Sequence, residues 1–340
     1  MAKYGIGIYG AGWVAGAHIN AYKHDPRAEV VAIGSRKEES ARRLARESNC
    51  PDASIHTSLD DLLANPKVDV LSICTPNDLH SHDTIKAAQA GKHILIEKPA
   101  AMNVQELRAS RDAVRKAKVK TVVSFVLRWN PLFDIIKRQI AAGAVGRIFY
   151  AEVDYWHELS DWYGGFSWLK TKKQGGSAFV GAGCHAVDAL RYFKQQDIVE
   201  VTAYAVEGTG LYEYPGTSVM ICKFADGTIG KASSSFDIQS TYQFNIDLLG
   251  DKGTIRDNRI FTHQMPGQTE YAQIPTVMPN SGDVAHHPFN GEMSHLLDCI
   301  TKNVESHVNL EDAINTHEAC FAADISAAEG RPVKLPLLSS

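Results

Sequence analysis

At 340 residues the chain exceeds one typical hydrophobic core and predicts two domains. Its 44% apolar and 22% charged residues are those of an ordinary soluble globular protein, and 35 basic against 39 acidic residues leave a formal net charge of −4. That balance offers no footprint for nucleic acid or an anionic membrane surface. The first apolar run is too short for a secretion signal, no stretch approaches the ~20 apolar residues that span a bilayer, and the six cysteines show no paired spacing, so a cytoplasmic protein with reduced thiols is expected.

Taken in chain order, apolar β-branched runs at Ile6–Tyr9, Val30–Ile33, Val70–Cys74, Ile94–Ile96 and Thr121–Phe125 predict strands buried on both faces of a parallel sheet, with helices between them. Ser58 stands three residues before Asp61, and Asn103 three before Glu106, which is capping spacing for two of those helices. The pattern changes near Pro131. A helix near Leu132–Ala142 leads to a strand over Arg147–His157, a loop of Gly, Trp and Lys (Ser160–Gly176) and a helix near His185–Lys194. Strands are expected at Val199–Val206, Ser218–Phe224, Ile229–Phe236 and Gln243–Leu249, with Asp226-Gly227 as a hairpin turn. Helices at Phe289–Lys302 and Leu310–Ala328 then stop at Gly330-Arg331-Pro332. The expected fold is α/β: a doubly wound parallel sheet over residues 1–127, then an α+β domain over 128–340 with a large, mostly antiparallel open sheet. The C-terminal segment has the length to pack back on the first domain.

Four motifs carry chemistry. Gly10-Ala11-Gly12-Trp13-Val14-Ala15 follows the first strand and opens a helix, the arrangement in which backbone N–H groups cradle a dinucleotide pyrophosphate. After the second strand, Gly34-Ser35-Arg36-Lys37 stands where a carboxylate would grip the ribose of NAD; Ser35 and Arg36 suit a 2′-phosphate, so NADP is favoured over NAD. Cys74-Thr75-Pro76-Asn77-Asp78-Leu79-His80 lies at a strand's carboxyl end, where Cys74, Thr75, Pro76, Asn77 and His80 are candidate cofactor contacts, with helix capping the alternative for Asn77 and Asp78. Glu97-Lys98-Pro99 ends another strand of the same sheet; a lysine there can donate to a substrate oxygen and favour a developing alkoxide, or form a surface ion pair. The pairs His80/His82 and His286/His287 lack ligand spacing, so no metal is expected. Tyr155-Trp156-His157, Trp162-Tyr163 and Trp168 form either a pocket wall or core.

The order of these motifs resembles the glucose–fructose oxidoreductase, inositol dehydrogenase and rhizopine-catabolism (Gfo/Idh/MocA) family. Gly175-Gly176, Gly183-Cys184-His185-Ala186-Val187-Asp188 and the ending Ser326-Ala327-Ala328-Glu329-Gly330-Arg331-Pro332-Val333 extend the resemblance along the chain. It implies a Rossmann domain, an open-sheet domain whose outer face makes homodimers or homotetramers, and NAD(P)-dependent hydride transfer at a hydroxyl or ketone of a sugar, cyclitol or derivative. Lys98 and His185 match the catalytic lysine and histidine, Glu97 and Lys98 join the cofactor contacts, and Trp168 resembles a tryptophan near the cofactor. Lys98, Arg128, Asn130, Trp156, His157 and His185 are the implied substrate contacts. An unshifted imidazole titrates near ~6.5, so His185 can take and return a proton at neutral pH. There is one departure: Gly181 stands where many members carry an aspartate, leaving Asp188, Glu158, Asp161, water or the substrate's own hydroxyls to act instead. That keeps open a redox-neutral, glycoside-cleaving enzyme with a retained nicotinamide. A non-catalytic cofactor-binding regulator is disfavoured, because both Lys98 and His185 are present.

Overall fold

The computed structural model describes residues 3–281 and 287–337. Its elements run β1 (Tyr4–Tyr9), α1 (Trp13–Lys23), β2 (Ala28–Gly34), α2 (Glu38–Glu47), β3 (Ser54–His56), α3 (Leu59–Leu63), β4 (Val70–Ile73), α4 (His80–Gln89), β5 (His93–Ile96), α5 (Val104–Ala117), β6 (Thr121–Val123) and α6 (Pro131–Ala141). Then come β7 (Ile148–Trp156), α7 (Phe166–Leu169), α8 (Lys172–Gly175), a π-helical turn (Phe179–Gly183), α9 (Cys184–Lys194), β8 (Ile198–Val206), β9 (Thr217–Phe224), β10 (Ile229–Ser235) and β11 (Gln243–Gly250). The chain finishes through β12 (Gly253–Arg256), β13 (Arg259–Thr262), β14 (Ala272–Gln273), α10 (Phe289–Lys302), α11 (Leu310–Glu329) and β15 (Val333–Lys334). It divides into two compact units, Met1–Ser124 with Phe289–Ile314, and Phe125–Pro288 with Asn315–Ser340.

The first unit holds a six-stranded sheet in the order β3-β2-β1-β4-β5-β6, every pair parallel. This is the doubly wound sheet the apolar runs predict. Strand order reverses between β1 and β4, the place where such sheets bind ligands beyond the strands' carboxyl ends. The predicted caps form: Ser58 accepts from the Asp61 N–H at 3.1 Å, and Asn103 from the Glu106 N–H at 2.9 Å. The edge strand β3 is an addition, three half-buried residues too short to show a period.

The second unit carries a nine-stranded sheet, β14-β13-β12-β11-β7-β10-β9-β8-β15, in which only the β7–β10 pair is parallel among the described residues. One face is covered by α9 and the π-turn, which pack on β7 and β10. Along β7, Ala151, Val153 and Tyr155 are buried beneath that cover, while Tyr150, Glu152, Asp154 and Trp156 alternate onto the other face. On that uncovered face β8 and β9 expose Tyr204, Val206, Val219 and Ile221. The Asp226-Gly227 turn joins β9 to β10 as expected, with Gly227 at φ +81°.

Candidate active site

In the first unit, the turns after β1, β4 and β5 gather the candidate groups. Gly10 has φ +111°, and a Cβ there would lie 2.2 Å from the Cys74 carbonyl oxygen, so only glycine lets the β1 turn pass the β4 turn. A Cβ at Gly12 would meet nothing within 4 Å, and Gly12 caps α1 without a side-chain hydrogen bond. The first N–H groups of an 11-residue helix are therefore left for an anion. Ala11 and Val14 are half-buried beside it and Trp13 is 59% exposed. Beyond β4, Pro76 leads into Asn77, whose buried Nδ2 has no hydrogen-bond partner among the described residues. Thr75 Oγ1 donates to Asp83 at 2.7 Å. Ser35 and Arg36 follow β2, half-buried and exposed respectively.

Lys98 is half-buried, two residues past β5. Beneath it lies a buried polar cluster. Glu97 Oε2 accepts the Lys98 backbone N–H at 3.1 Å, and Glu97 Oε1 is 3.1 Å from His18 Nε2. His18 Nδ1 lies 2.8 Å from Ser72 Oγ and 3.3 Å from Cys74 Sγ. Burial opposes the charge on His18, but the Cys74 sulfur and the Glu97 carboxylate hold its imidazole well above the ordinary value. Burial likewise opposes the Glu97 carboxylate, and the hydrogen bond and charge of His18 still hold its carboxyl below the usual range. Glu292 on α10 is pushed up to about 8, by burial first and then by the charge of Glu97, with His18 and the Ser124 hydroxyl (3.1 Å) pulling the other way.

The second unit sets His185 as the second residue of α9, directly after the π-turn. The ring is buried, edge-on to Phe125 (centroids 5.9 Å apart) and stacked against Tyr155 (6.1 Å). Tyr155 Oη and His157 Nδ1 are 3.2 Å apart, and His157 lies against Tyr242 (5.0 Å) and Trp162 (5.7 Å). A Cβ at Gly181 would be 3.0 Å from the Gly175 carbonyl oxygen and 3.5 Å from both Leu169 Cδ1 and Phe236 Cζ. A side chain there would stand tight against a backbone oxygen and in ordinary contact with apolar carbons.

Two comparisons place these features. The profile described as "Oxidoreductase family, NAD-binding Rossmann fold" matches residues 4–125, and "GFO/IDH/MocA C-terminal domain" matches residues 133–256. The chain belongs to the Gfo/Idh/MocA oxidoreductase family. It is 24% identical over 324 residues to scyllo-inositol 2-dehydrogenase (NAD(+)) of Bacillus subtilis, spanning 91% of this chain and 90% of the relative. It is 27% identical to inositol 2-dehydrogenase of Rhizobium meliloti, over 74% of each chain. The solved structure of levoglucosan dehydrogenase in complex with NADH shares the fold, with a TM-score of 0.90 at 22% identity over 99% of this chain and 100% of that one.

As an NAD(P)-dependent oxidoreductase of this family, the chain has residues that fit the nucleotide. Gly12 leaves room for close approach, the head of α1 is uncapped, and Asn77 presents an orphaned buried donor. The other sequence candidates fall differently. Both ring nitrogens of His80 face backbone carbonyl oxygens, so neither is directed to a ligand. Arg128 binds Asp188 through Nε (2.8 Å) and Nη2 (2.6 Å) in a fully buried pair, and its guanidinium lies 4.9 Å from the centre of the Tyr192 ring. Asn130 caps α6, accepting from the Leu132 N–H at 2.9 Å. Trp156 sits on the face of β7 opposite His185, donating to Ser233 Oγ at 2.7 Å, and Tyr155 lies beside the histidine. Period-two alternation would have paired Tyr155 with His157, had the covered face been known. Trp168 is half-buried on α7. Of the candidate acids, Asp188 is held by Arg128, Glu158 accepts from the Trp162 indole at 2.5 Å, and Asp161 is exposed. His82 Nδ1 lies 2.9 Å from Asp83, and His286 is outside the described residues. The sequence reading missed His18, Tyr242 and Glu292.

Proposed function

We propose that the protein is a dehydrogenase that oxidises a hydroxyl of a sugar, cyclitol or related compound, or reduces the matching ketone, with Lys98 and His185 as its catalytic groups. The observation that carries this reading is the lysine turn at the carboxyl end of β5, bedded on Glu97, in the sheet whose β1 and β4 turns suit a nucleotide. A bound nicotinamide supplies the hydride acceptor or donor. In the oxidation direction the His185 imidazole takes the hydroxyl proton as general base. The Lys98 ammonium donates to the same oxygen and stabilises the charge that develops there. Tyr155, His157, Trp162 and Tyr242 supply ring faces for the C–H surfaces of a carbohydrate; Arg128 and Asn130 act by holding the local backbone and helix. Names of relatives support the substrate class: scyllo-inositol and inositol dehydrogenases among sequences, and levoglucosan dehydrogenase among structures.

For the cofactor, Gly10–Val14 and Cys74–Asn77 hold the dinucleotide. Ser35 and Arg36, with no carboxylate among Gly34–Lys37, accept either NAD or the 2′-phosphate of NADP. One relative is named with NAD(+) and one solved structure with NADH, so a preference for NADP rests on Ser35 and Arg36. The uncovered face of β8 and β9, where Tyr204 is 79% and Ile221 58% exposed, takes a second copy of this chain to form a dimer or tetramer. All six cysteines are buried thiols, which suits a reducing cytoplasm, and no helix among the described residues is long and apolar enough to cross a membrane. The test is a panel of cyclitols, aldoses and anhydrosugars with NAD and with NADP, followed by nicotinamide absorbance. Turnover of at least one member is expected; hydride transfer to none overturns the reading.

A further inference from the structure

Two buried histidines, neither of them His185, end on the same tripeptide. His18 projects from α1, the helix that starts at the glycine turn, and its Nε2 meets Glu97 Oε1 at 3.1 Å. Its Nδ1 meets Ser72 of β4 at 2.8 Å, and its ring lies 5.2 Å from that of Phe289. His80 opens α4, with Nδ1 2.8 Å from the carbonyl oxygen of Pro99 and Nε2 2.7 Å from that of Thr75. A carbonyl oxygen only accepts, so a hydrogen bond at either contact is donated by the ring N–H. Both side chains are essentially fully buried, at 0% and 1% exposure. Apolar side chains would occupy such sites at a smaller desolvation cost.

The two contacts bracket Lys98. On one side Glu97 is held by His18 and itself accepts the Lys98 N–H; on the other the Pro99 carbonyl is held by His80. We infer that His18 and His80 are positioning residues, which fix the two neighbours of Lys98 to the glycine-turn helix and to the Thr75 turn. Through them the lysine backbone is tied to the same two segments that cradle the nucleotide. The inference rests on the reading of Lys98 as a catalytic group. It adds how the ammonium is kept in register with the cofactor rather than left to a mobile turn.

The amide of Asn reaches the position of a histidine Nδ1, and that of Gln the position of Nε2, so paired substitutions separate bracing from bulk structure. In the full chain, His80→Asn keeps a donor toward Pro99, whereas His80→Gln keeps one toward Thr75 only. His18→Gln keeps the donor toward Glu97, and His18→Ala removes it. Each variant is assayed for NADH affinity by fluorescence, for thermal midpoint, and for kcat on a sugar or cyclitol that the wild type oxidises. The signal of Lys98 after reductive [13C]methylation, assigned by its loss in Lys98→Met, reports on the amine without any substrate. The expected result is a kcat loss of about 100-fold in His80→Gln and His18→Ala, with a displaced Lys98 signal and NADH affinity within about threefold of wild type. His80→Asn and His18→Gln lose about tenfold less, at thermal midpoints like those of their partners. Equal kcat and equal Lys98 signals within each pair, or losses that simply follow the thermal midpoint, overturn the inference. Wild-type turnover by Lys98→Met overturns the catalytic reading instead, and the amine signal then still decides whether the brace exists.

Discussion

The Lys98 turn of the first unit is bedded on ionisable side chains, whereas His185 of the second is bedded on rings. Below Lys98 lie His18 and Glu97, shifted from their ordinary titration by charged or polar neighbours against the pull of burial, and Glu292, shifted by burial and by Glu97. Around His185 stand Phe125 and Tyr155, and the buried Arg128–Asp188 pair on the same helix stitches α9 to the segment ahead of α6. Charges in a dry interior fix a group by direction and respond to pH, while packed rings fix it by shape and do not. The two groups are thus held in place by two different physical means.

The largest effects should come from the two groups themselves. Lys98→Ala is expected to lower kcat by about 10³-fold, because the proposed donor to the alkoxide is removed while the glycine turn and Asn77 are untouched. NADH affinity, read by fluorescence, should survive; unchanged kcat would remove Lys98 from the chemistry. His185→Ala should cost about 10²-fold through loss of the general base. Its residual activity should rise with pH as hydroxide replaces the imidazole, and a flat residual profile at the wild-type rate would argue that another group carries the proton.

Next comes the support on the ring side. Arg128→Ala leaves Asp188 buried without its bidentate partner and should destabilise the protein by about 3–5 kcal/mol, measured by denaturant unfolding. With side-chain exposure of 3% at both partners, solvent cannot take over the lost contacts. A change below about 1 kcal/mol would place this pair with ordinary surface salt bridges.

Much of this was readable in the chain, and what was not has physical reasons. Continuous β-branched runs showed β1, β4, β5 and β6 because strands buried on both faces need no alternation. The glycine turn and the Ser58 and Asn103 caps are local chemistry, legible within a few residues. The short strands β3 and β12–β14 carry two to four residues each, too few to show a period. The π-turn arises from Phe179-Val180-Gly181-Ala182-Gly183, small and apolar residues that signal no more than a flexible run. His18 looked like one polar residue on a helix, because its partner Glu97 is 79 positions away. The bidentate partner of Arg128 was likewise hidden, its carboxylate lying 60 residues further on. Which of Tyr155, Trp156 and His157 share a face with His185 was not legible, because alternation says that two neighbours face opposite ways but not which face is covered.

A pH measurement sharpens the contrast on the charged side. Glu292 moves from an unfolded value of 4.5 to about 8 in the native protein, so the native state holds a proton that the unfolded chain has released. Stability from this group is intact below 4.5 and is lost as pH climbs toward 8, at no more than about 1.4 kcal/mol per pH unit. His18 acts in the same sense, since its raised value stabilises at low pH and that benefit fades as pH passes through it. Glu292→Gln keeps an acceptor for the Ser124 hydroxyl and carries no charge at any pH. Urea midpoints for this variant should fall less between pH 5 and pH 8.5 than those of the wild type, leaving the part due to His18 and to Asp324, whose carboxyl burial pushes up to about 6. Parallel curves would mean that Glu292 does not hold its proton in the native state.

The smallest expected effect lies outside both buried settings, at Arg36. This guanidinium is exposed beyond β2, so water and salt screen it, and whatever it contributes comes from a ligand anion rather than from the protein's interior. If it pairs with a 2′-phosphate, Arg36→Ala should weaken NADP binding by about tenfold and NAD by less than about twofold, in fluorescence titrations of the reduced forms. The NADP effect should shrink as salt is raised, unlike the effect of Lys98→Ala on turnover, because Lys98 is half-buried over Glu97 while Arg36 faces solvent. Equal losses for both nucleotides would reduce Arg36 to a general attractor of phosphate. No loss for either would remove Arg36 from the choice of cofactor.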